Sequence, residues 1–465
     1  MQNKRHYDIA VIGDGLSGQA MTLALAAAGA RVWLGGNRPP TKPAQSDAPR
    51  MNALHTSVSR TSARNTDAYH TSVRSMALTP SSVAMLQQIG VCDKLPTKLA
   101  PLRHMQIADG LPSADMSSGN GLYFTTPPDF SPPHAADKQN NALAYVTCNN
   151  DLAIALRACL KTAKNITYQQ DKTYVENINI TTPHATLNLS DGTKLKANLL
   201  VACDGRDSPL REQMNIDTYR TTYQQTALIA NFTHSQSHQD TAYQFFCAAG
   251  TLATLPMGSH SDGTHNSALI WVERPERAET LCKAGDDLFM AELAKKLGGL
   301  LGDIKTVSKR AHYPLQLVLA RHYTRPHFVL AGEAAHVIHP LAGQGYNLTL
   351  RDAARLANGV YEARRLGLAI EAAPQLAAYE SARRLDAFSM AAATHALNFA
   401  FTRKTERADI LAPLRRAALH WANYVPGLPA VARRVADMGV ADMGAADMGA
   451  ADMGFDKRAQ PMFRH

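Results

Sequence analysis

The stretch Gly-Asp-Gly-Leu-Ser-Gly at residues 13–18 decides the fold of the N-terminal region. It follows the apolar run 8–12, which is typical of a buried strand. It precedes residues 19–28, which are rich in strong helix formers and stop at Gly29. A glycine motif between a strand and a helix predicts a unit that binds a dinucleotide.

Each glycine of this motif has a separate physical task. Gly13 permits a tight turn, and Gly15 lets the backbone approach a pyrophosphate. Gly18 lets the helix pack closely against the strand, and Ser17 immediately precedes Gly18. Because a helix N-terminus presents free N–H groups and a partial positive charge, we expect the phosphates to bind there.

The second strand of the unit is predicted at 31–34. Its end normally carries an acid that binds the adenosine ribose. Here the chain continues as Gly35-Gly36-Asn37. Either Asn37 substitutes for the acid or the ribose contact is weaker.

A second motif, Cys-Asp-Gly at 203–205, follows the buried run 199–202. Ser208 is a good helix N-cap, with Pro209 at the first helical position. An Asp-Gly pair alone predicts only a turn. Placed after a strand of the same sheet, Asp204 and Gly205 can approach the ribityl and pyrophosphate groups of a flavin dinucleotide.

A third motif, Gly-Glu-Ala-Ala-His-Val-Ile-His-Pro-Leu-Ala-Gly-Gln-Gly-Tyr-Asn at 332–347, follows the buried strand 327–331. A helix is predicted to begin near Asn347. Its N-terminal N–H groups can stabilise negative charge at the pyrimidine edge of a reduced flavin. Residues that we expect at the face of the flavin are His339, Pro340, Gly343, Gln344 and Gly345.

Together the motifs resemble those of the class A flavoprotein monooxygenases, which have the para-hydroxybenzoate hydroxylase fold. Residues 335–347 and 350–352 resemble the ubiquinone-biosynthesis hydroxylase family more specifically. Further similar segments are 74–78, 86–95 (the family's first interdomain helix), 225–231, 250–256, 269–271 and 313–315. The chain departs from the family's pattern at Gly36, at Glu333 where an aspartate is usual, and at Cys203.

The resemblance implies the fold and its division. We expect an α/β protein, with a Rossmann-like FAD-binding domain, an interleaved antiparallel-sheet substrate domain and a C-terminal helical region. The FAD-binding domain would comprise 1–100, 142–212 and 322–362, and the substrate domain 101–141 and 213–321. Helices would follow at 363–434 and a low-complexity tail at 435–465.

The resemblance also implies the chemistry. NADH or NADPH would reduce the FAD, and O2 would add to form a flavin C4a hydroperoxide that hydroxylates an aromatic ring. The expected substrate is a polyprenylated phenol of ubiquinone biosynthesis. Expected FAD-binding residues are Gly13, Gly15, Ser17, Gly18, Asn37, Arg74, Asp204, Gly205, Gly332, Glu333, Gly345 and Asn347.

Three other functions remain open at the level of sequence. The first is hydroxylation of a soluble aromatic compound, and the second is reduction of isoprenoid double bonds by the same fold. The third is a non-catalytic FAD-binding member of a biosynthetic complex, which the changed acids at Gly36 and Glu333 would suit, because a fold does not fix a function.

The composition of the chain limits the cellular location and the binding partners that we expect. The 465 residues carry a net charge of +9 without the basic and aromatic interleaving of nucleic-acid binders. The six cysteines show no metal-ligand spacing, and no metal site is predicted. We expect a cytoplasmic protein, peripheral on the inner face of the plasma membrane. An amphipathic segment at 411–421, which contains Arg415 and Arg416 and is followed by Arg433 and Arg434, would contact anionic lipid or pack into the core.

Overall fold

The computed structural model describes residues 6–37, 74–112, 121–125, 142–169, 173–181, 184–259 and 263–402. The polar segment 38–73, the amphipathic segment 411–421 and the repeats at 435–454 lie outside these ranges.

The fold is α/β, as predicted. Its helices are α1 (Leu16–Ala27), α2 (Pro80–Gln88), α3 (Asn149–Thr162), α4 (Pro209–Gln213), α5 (Pro275–Lys283), α6 (Asp286–Leu297), α7 (Gly345–Arg365) and α8 (Ala373–Thr402).

An 8-stranded sheet forms the first layer and carries the first two glycine motifs. At its centre, parallel neighbours run in the order β8, β2, β1, β11 and β19. Parallel strands end at the same edge of a sheet, so the loops that follow them meet there. The strands are β1 (His6–Ile12), β2 (Val32–Asn37), β8 (Ile166–Tyr168), β9 (Tyr174–Thr181), β10 (His184–Leu189), β11 (Lys194–Ala202), β18 (Thr324–Arg325) and β19 (Phe328–Leu330).

A 9-stranded, mainly antiparallel sheet forms the second layer. Its long central strand pairs with neighbours on both sides over most of its length. The strands are β5 (His104–Asp109), β6 (Gly121–Thr125), β12 (Thr218–His234), β13 (Thr241–Phe246), β14 (Thr251–Pro256), β15 (His265–Glu273), β16 (Ile304–Val307), β17 (Ala311–Ala320) and β20 (His336–Val337). A 3-stranded sheet of β3 (Ser75–Leu78), β4 (Ala100–Leu102) and β7 (Ala144–Cys148) lies beside it.

The main hydrophobic core joins the first sheet to α1, α7 and α8. Strand β1 reads Tyr-Asp-Ile-Ala-Val-Ile at 7–12, and four consecutive residues at its end are buried. Such a run is typical of a parallel strand that is covered on both faces. A second core lies between the antiparallel sheet and α6. Each of the two large sheets therefore has its own hydrophobic core. The loops of the third motif run between these sheets.

One predicted helix is wrong in its extent. The segment 86–95, which resembles the first interdomain helix, is not continuously helical, because α2 ends at Gln88. Gly90 adopts a φ of 74°, a left-handed conformation that stops a helix. A short 3-10 turn then covers Cys92–Lys94. The helix begins after Thr79, which caps it by accepting from the amide of Ser82.

Candidate functional site

The first two glycine motifs meet at the N-terminus of α1. Gly13 has a φ of 114°, and a Cβ placed on it would lie 2.3 Å from the carbonyl oxygen of Cys203. The amide of Cys203 in turn donates to the carbonyl of Ile12 at 2.8 Å. A Cβ on Gly18 would lie 1.7 Å from the Gly13 carbonyl oxygen. Gly13 and Gly18 therefore allow backbones to touch, and both are structural requirements of this corner.

The third motif reaches the same corner from the other side of α1. A Cβ on Gly332 would lie 3.2 Å from the hydroxyl oxygen of Ser17. The hydroxyl of Tyr346 donates to the carbonyl of Leu16 at 3.3 Å. All three motifs, separated by more than a hundred residues in sequence, thus surround one helix N-terminus.

This helix end has the features of a pyrophosphate site. Helix α1 has Gly15 as its N-cap, and no side chain among the described residues caps its first amides. A Cβ on Gly15 would meet no atom of the described residues within 4 Å, so within that part of the chain the backbone faces open space. Free amides beside open space are what a phosphate requires. The residues present therefore fit a bound dinucleotide.

The second motif supplies a buried carboxylate. Asp204 accepts a hydrogen bond from the amide of Leu210 at 3.2 Å, and Ser208 caps α4 by accepting from the amide of Arg211 at 3.0 Å. Burial raises the pKa of the Asp204 carboxyl, and a hydrogen bond from Ser208 opposes this shift. Asp204 therefore holds the turn itself together, and Gly205, with a φ of 91°, leaves open space next to it.

Asp352 on α7 organises the start of the third motif, a role that the sequence patterns did not indicate. Its carboxylate accepts from the amide of Gly332 at 2.8 Å and from Nε2 of His336 at 2.7 Å. Its other oxygen accepts from Nε of Arg383 at 2.7 Å. Burial opposes ionisation of Asp352, yet its interactions with His336 and Arg383 hold its pKa below the ordinary value. The turn at Gly332 is thus fixed by an ion network, while Glu333 is exposed.

The loop after this turn lies at the junction of the two large sheets. Leu341 packs with Phe246 of β13 and Phe401 of α8, whose rings stack at 4.1 Å between centroids. Gly343 has a φ of 63°, and a Cβ on it would lie 3.8 Å from the Cβ of Ala77 in β3. The loop therefore contacts the 9-stranded sheet on one side and the 3-stranded sheet on the other.

His339 is a buried hydrogen-bond donor in this loop. Its Nδ1 accepts from the amide of Leu341 at 3.3 Å, so the proton of the neutral ring lies on Nε2. Nε2 is buried and has no hydrogen-bond partner in the described part of the chain. Burial, and then the charge of His395, lowers the pKa of His339 to about 4. The ring of Tyr223 packs edge-on against it at 5.1 Å.

The remaining predicted residues sit around this loop. Helix α7 begins at Gly345, two residues before Asn347, and Gly345 is exposed. The side chain of Asn347 accepts from the amide of Thr79 at 3.1 Å and donates to the carbonyl of Ala77 at 2.9 Å. Asn347 therefore ties α7 to β3. Pro340 is half-buried and Gln344 is buried within the same loop.

Two other predicted residues lie farther from the loop. The guanidinium of Arg74 lies over the ring of Tyr313 in β17 of the 9-stranded sheet, 5.5 Å from its centroid. Asn37 is the last residue of β2, and its side chain lies outside the described residues. Direct contacts of these residues with FAD stay predictions.

Comparisons with known proteins agree with this geometry. The family described as the FAD-binding domain matches residues 6–394. A Neisseria meningitidis protein named ubiquinone hydroxylase UbiM is 28% identical over 424 residues, which cover 91% of this chain and 83% of the relative. A Rhodospirillum rubrum protein named ubiquinone hydroxylase UbiL is 41% identical over 209 residues, and that match spans 45% of this chain and about half (48%) of the relative.

The solved structures share the fold. The crystal structure of p-nitrophenol 4-monooxygenase PnpA from Pseudomonas putida superimposes with a TM-score of 0.66. The match covers 93% of this chain and 98% of that protein, at 17% sequence identity. The two-sheet architecture, with its helical region, is therefore that of the flavin-dependent aromatic monooxygenases, as the motifs predicted.

Proposed function

Because the chain belongs to the FAD-binding domain family, we propose that it is an FAD-dependent monooxygenase that hydroxylates the ring of a polyprenylated phenol in ubiquinone biosynthesis. The observation that carries the proposal is the convergence of three glycine motifs on one helix N-terminus. The relatives named ubiquinone hydroxylases, one of which aligns over 91% of the chain, support the choice of substrate. NADH or NADPH is the electron donor, and O2 is the second substrate.

We assign the FAD contacts from the geometry of the corner. The amides of Gly15, Ser17 and Gly18 at the start of α1 hold the pyrophosphate. Asp204–Gly205 and Gly332–Glu333 line the ribityl chain. Asn37, Arg74, Gly345 and Asn347 complete the proposed set.

The loop from His339 to Gly345 would form the reacting face. Bound FAD supplies electron transfer from the nicotinamide and the activation of O2. The chain supplies a buried N–H donor at Nε2 of His339 and the N-terminal amides of α7 at Gly345. Preorganised donors of this kind stabilise negative charge where water is excluded. Leu341, which packs with Phe246 and Phe401, would exclude water from the junction of the sheets.

We further propose that the protein docks on the inner face of the plasma membrane, where a prenylated substrate resides. Within the described ranges, no helix has the length and apolar character needed to cross a membrane. Leu385 and Phe388, one turn apart on α8, are exposed by 51% and 63%. The basic segment 411–434, which follows α8, lies outside the described residues. Apolar side chains beside basic ones favour adsorption to anionic lipid.

Liposome binding tests the membrane contact. Changing Arg415, Arg416, Arg433 and Arg434 to Gln should weaken binding to anionic vesicles, because each basic residue near the surface contributes about 1 kcal/mol that salt screens. Leu385→Ser with Phe388→Ser should weaken binding to neutral vesicles as well. FAD content should stay unchanged in both variants. Equal binding by all three proteins would contradict the proposal.

A deletion strain tests the substrate and the reaction. We expect it to lose mature ubiquinone, to accumulate an under-hydroxylated prenylphenol, and to recover with the wild-type gene. Purified protein should incorporate one atom of ¹⁸O2 into that prenylphenol when NADH or NADPH is present. Normal ubiquinone in a strain without a second hydroxylase would favour a soluble aromatic substrate. A flavin-loaded protein that restores ubiquinone without consuming O2 would favour a non-catalytic member of a biosynthetic complex.

A further inference from the structure

The end of β2 lacks the acid that dinucleotide-binding folds use for the adenosine ribose. Gly35 cannot carry one, because a Cβ there would lie 2.2 Å from the ring of Trp33, which is buried. Gly36 has room, since its nearest neighbours are ordinary van der Waals contacts. The amide of Gly13 donates to the carbonyl of Gly35 at 2.9 Å, so the glycine loop touches this strand end directly.

A carboxylate nevertheless reaches this place from the glycine loop. A Cβ placed on Gly36 would lie 3.8 Å from Oδ1 of Asp14 and 3.9 Å from its Cγ. The pKa of Tyr168, at the end of the next strand β8, is raised by burial and then by the charge of Asp14. Both observations place the Asp14 carboxylate over the ends of β2 and β8, beside the position that an acid at residue 36 would use.

Within the described part of the chain, this carboxylate is available to a ligand. Asp14 is half-buried, and within the residues that the structure describes no hydrogen bond or ion pair engages its side chain. Its backbone is fixed, because its carbonyl accepts from Nε2 of Gln19 at 2.6 Å and Gln19 is buried. An ionised carboxylate is an acceptor with two oxygens, which suits the hydroxyl groups of a ribose.

We propose that Asp14 has taken over the adenosine-ribose contact of FAD, with its carboxylate accepting a hydrogen bond from the 2′-hydroxyl. The inference rests on the binding of FAD and is independent of the aromatic substrate. It makes Asp14 and position 36 alternative sources of one negative charge. Two carboxylates there would repel each other, whereas none would leave the ribose without an acceptor.

Titration of the apoprotein with FAD, followed by flavin fluorescence, tests whether Asp14 replaces the acid at position 36. Asp14→Ala should raise the Kd for FAD by about 10-fold, as expected for a hydrogen bond to a charged group. Gly36→Glu in the wild-type background should also raise the Kd, because it adds a second carboxylate. In the Asp14→Ala background, Gly36→Glu should lower the Kd again. Gly36→Gln, of the same size and without charge, is the matched control and should not repel Asp14.

An FAD analogue without the 2′-hydroxyl of the adenosine ribose tests this contact separately from the rest of the cofactor. The FAD analogue with 2′-deoxyadenosine should bind wild type and Asp14→Ala equally, because the proposed donor is gone. Thermal unfolding of each apoprotein shows that every variant is folded. Tighter FAD binding by Asp14→Ala would show that Asp14 repels the pyrophosphate and would overturn the proposal. If Asp14→Ala weakened the binding of FAD and of the deoxy analogue equally, that result would also overturn the proposal.

Discussion

At the scale of single residues, two glycines of one motif have different physical tasks. Gly15 faces open space, and its φ of −71° and ψ of −177° suit any residue. Gly18 has the Gly13 carbonyl oxygen where its Cβ would be. Sequence patterns treat both as members of one fingerprint. The structure shows that Gly18 is required for packing, whereas the ligand contact of Gly15 is our proposal.

A matched pair of substitutions separates these tasks. Gly15→Val should leave the apoprotein folded, with a loss of about 1 kcal/mol in its free energy of unfolding. The added side chain fills the space for the pyrophosphate, so the Kd for FAD should rise by about 100-fold. Gly18→Val should prevent folding altogether. Unfolding monitored by circular dichroism and flavin content of the purified proteins provide the readouts; a Gly15→Val protein with full FAD content would refute the assignment.

At the scale of elements, α8 holds the start of the third motif through buried charges. Arg383 donates from Nε to Asp352 and from Nη1 to Asp386, both at 2.7 Å, and all three side chains are almost fully buried. Arg384, the next residue, is 45% exposed and pairs with Glu380 at 3.4 Å. Because Asp352 also accepts from the amide of Gly332, the helix and the third motif are coupled.

Replacing each arginine by methionine tests this coupling. Arg383→Met removes the cation that bridges two buried carboxylates and leaves only Arg351 on Asp386 and His336 on Asp352, so the free energy of unfolding should fall by about 3–5 kcal/mol. Arg384→Met removes only an exposed pair and should cost about 0–1 kcal/mol. Urea denaturation measures both. We also expect Arg383→Met to lower FAD content. Similar decreases in the free energy of unfolding for the two variants would show that the buried network stabilises the protein no more than the exposed pair does.

At the scale of the whole molecule, buried histidines in both layers make stability depend on pH. Burial, followed by the charges of His238 and His265, lowers the pKa of His234 to about 4. His339 is lowered to about 4 by burial and by His395. Their pKa in the unfolded chain is about 6.5. Between these values the unfolded chain binds more protons, so the free energy of unfolding rises with pH.

Denaturant unfolding of the apoprotein over this range tests the linkage. Stability should fall as the pH drops from about 6.5 to about 4, and this contribution should level off below pH 4. His234→Gln and His339→Gln should each make the dependence shallower, and the double variant should be the shallowest. A dependence that neither substitution alters would show that other groups dominate.

Local sequence determined much of the fold and the identity of the cofactor. Strand, glycine turn and helix around residues 13–18 are dictated by backbone sterics and short-range periodicity, which act between near neighbours in the chain. The same holds for the turn at Asp204-Gly205 and for the cap at Ser208. Three such motifs in one order were sufficient to indicate a flavin dinucleotide before any tertiary contact was known.

Only the tertiary structure decided which side chains meet. Asp352 and Arg383 lie 31 residues apart, and nothing local distinguishes them from surface charges on two amphipathic helices. Asp14 and Gly36 can both be identified in the sequence, yet their proximity depends on how the glycine loop packs on the end of β2. The free Nε2 of His339 likewise depends on burial between two sheets. Periodicity reports neighbours along the chain, whereas charge pairing and burial depend on distances in space.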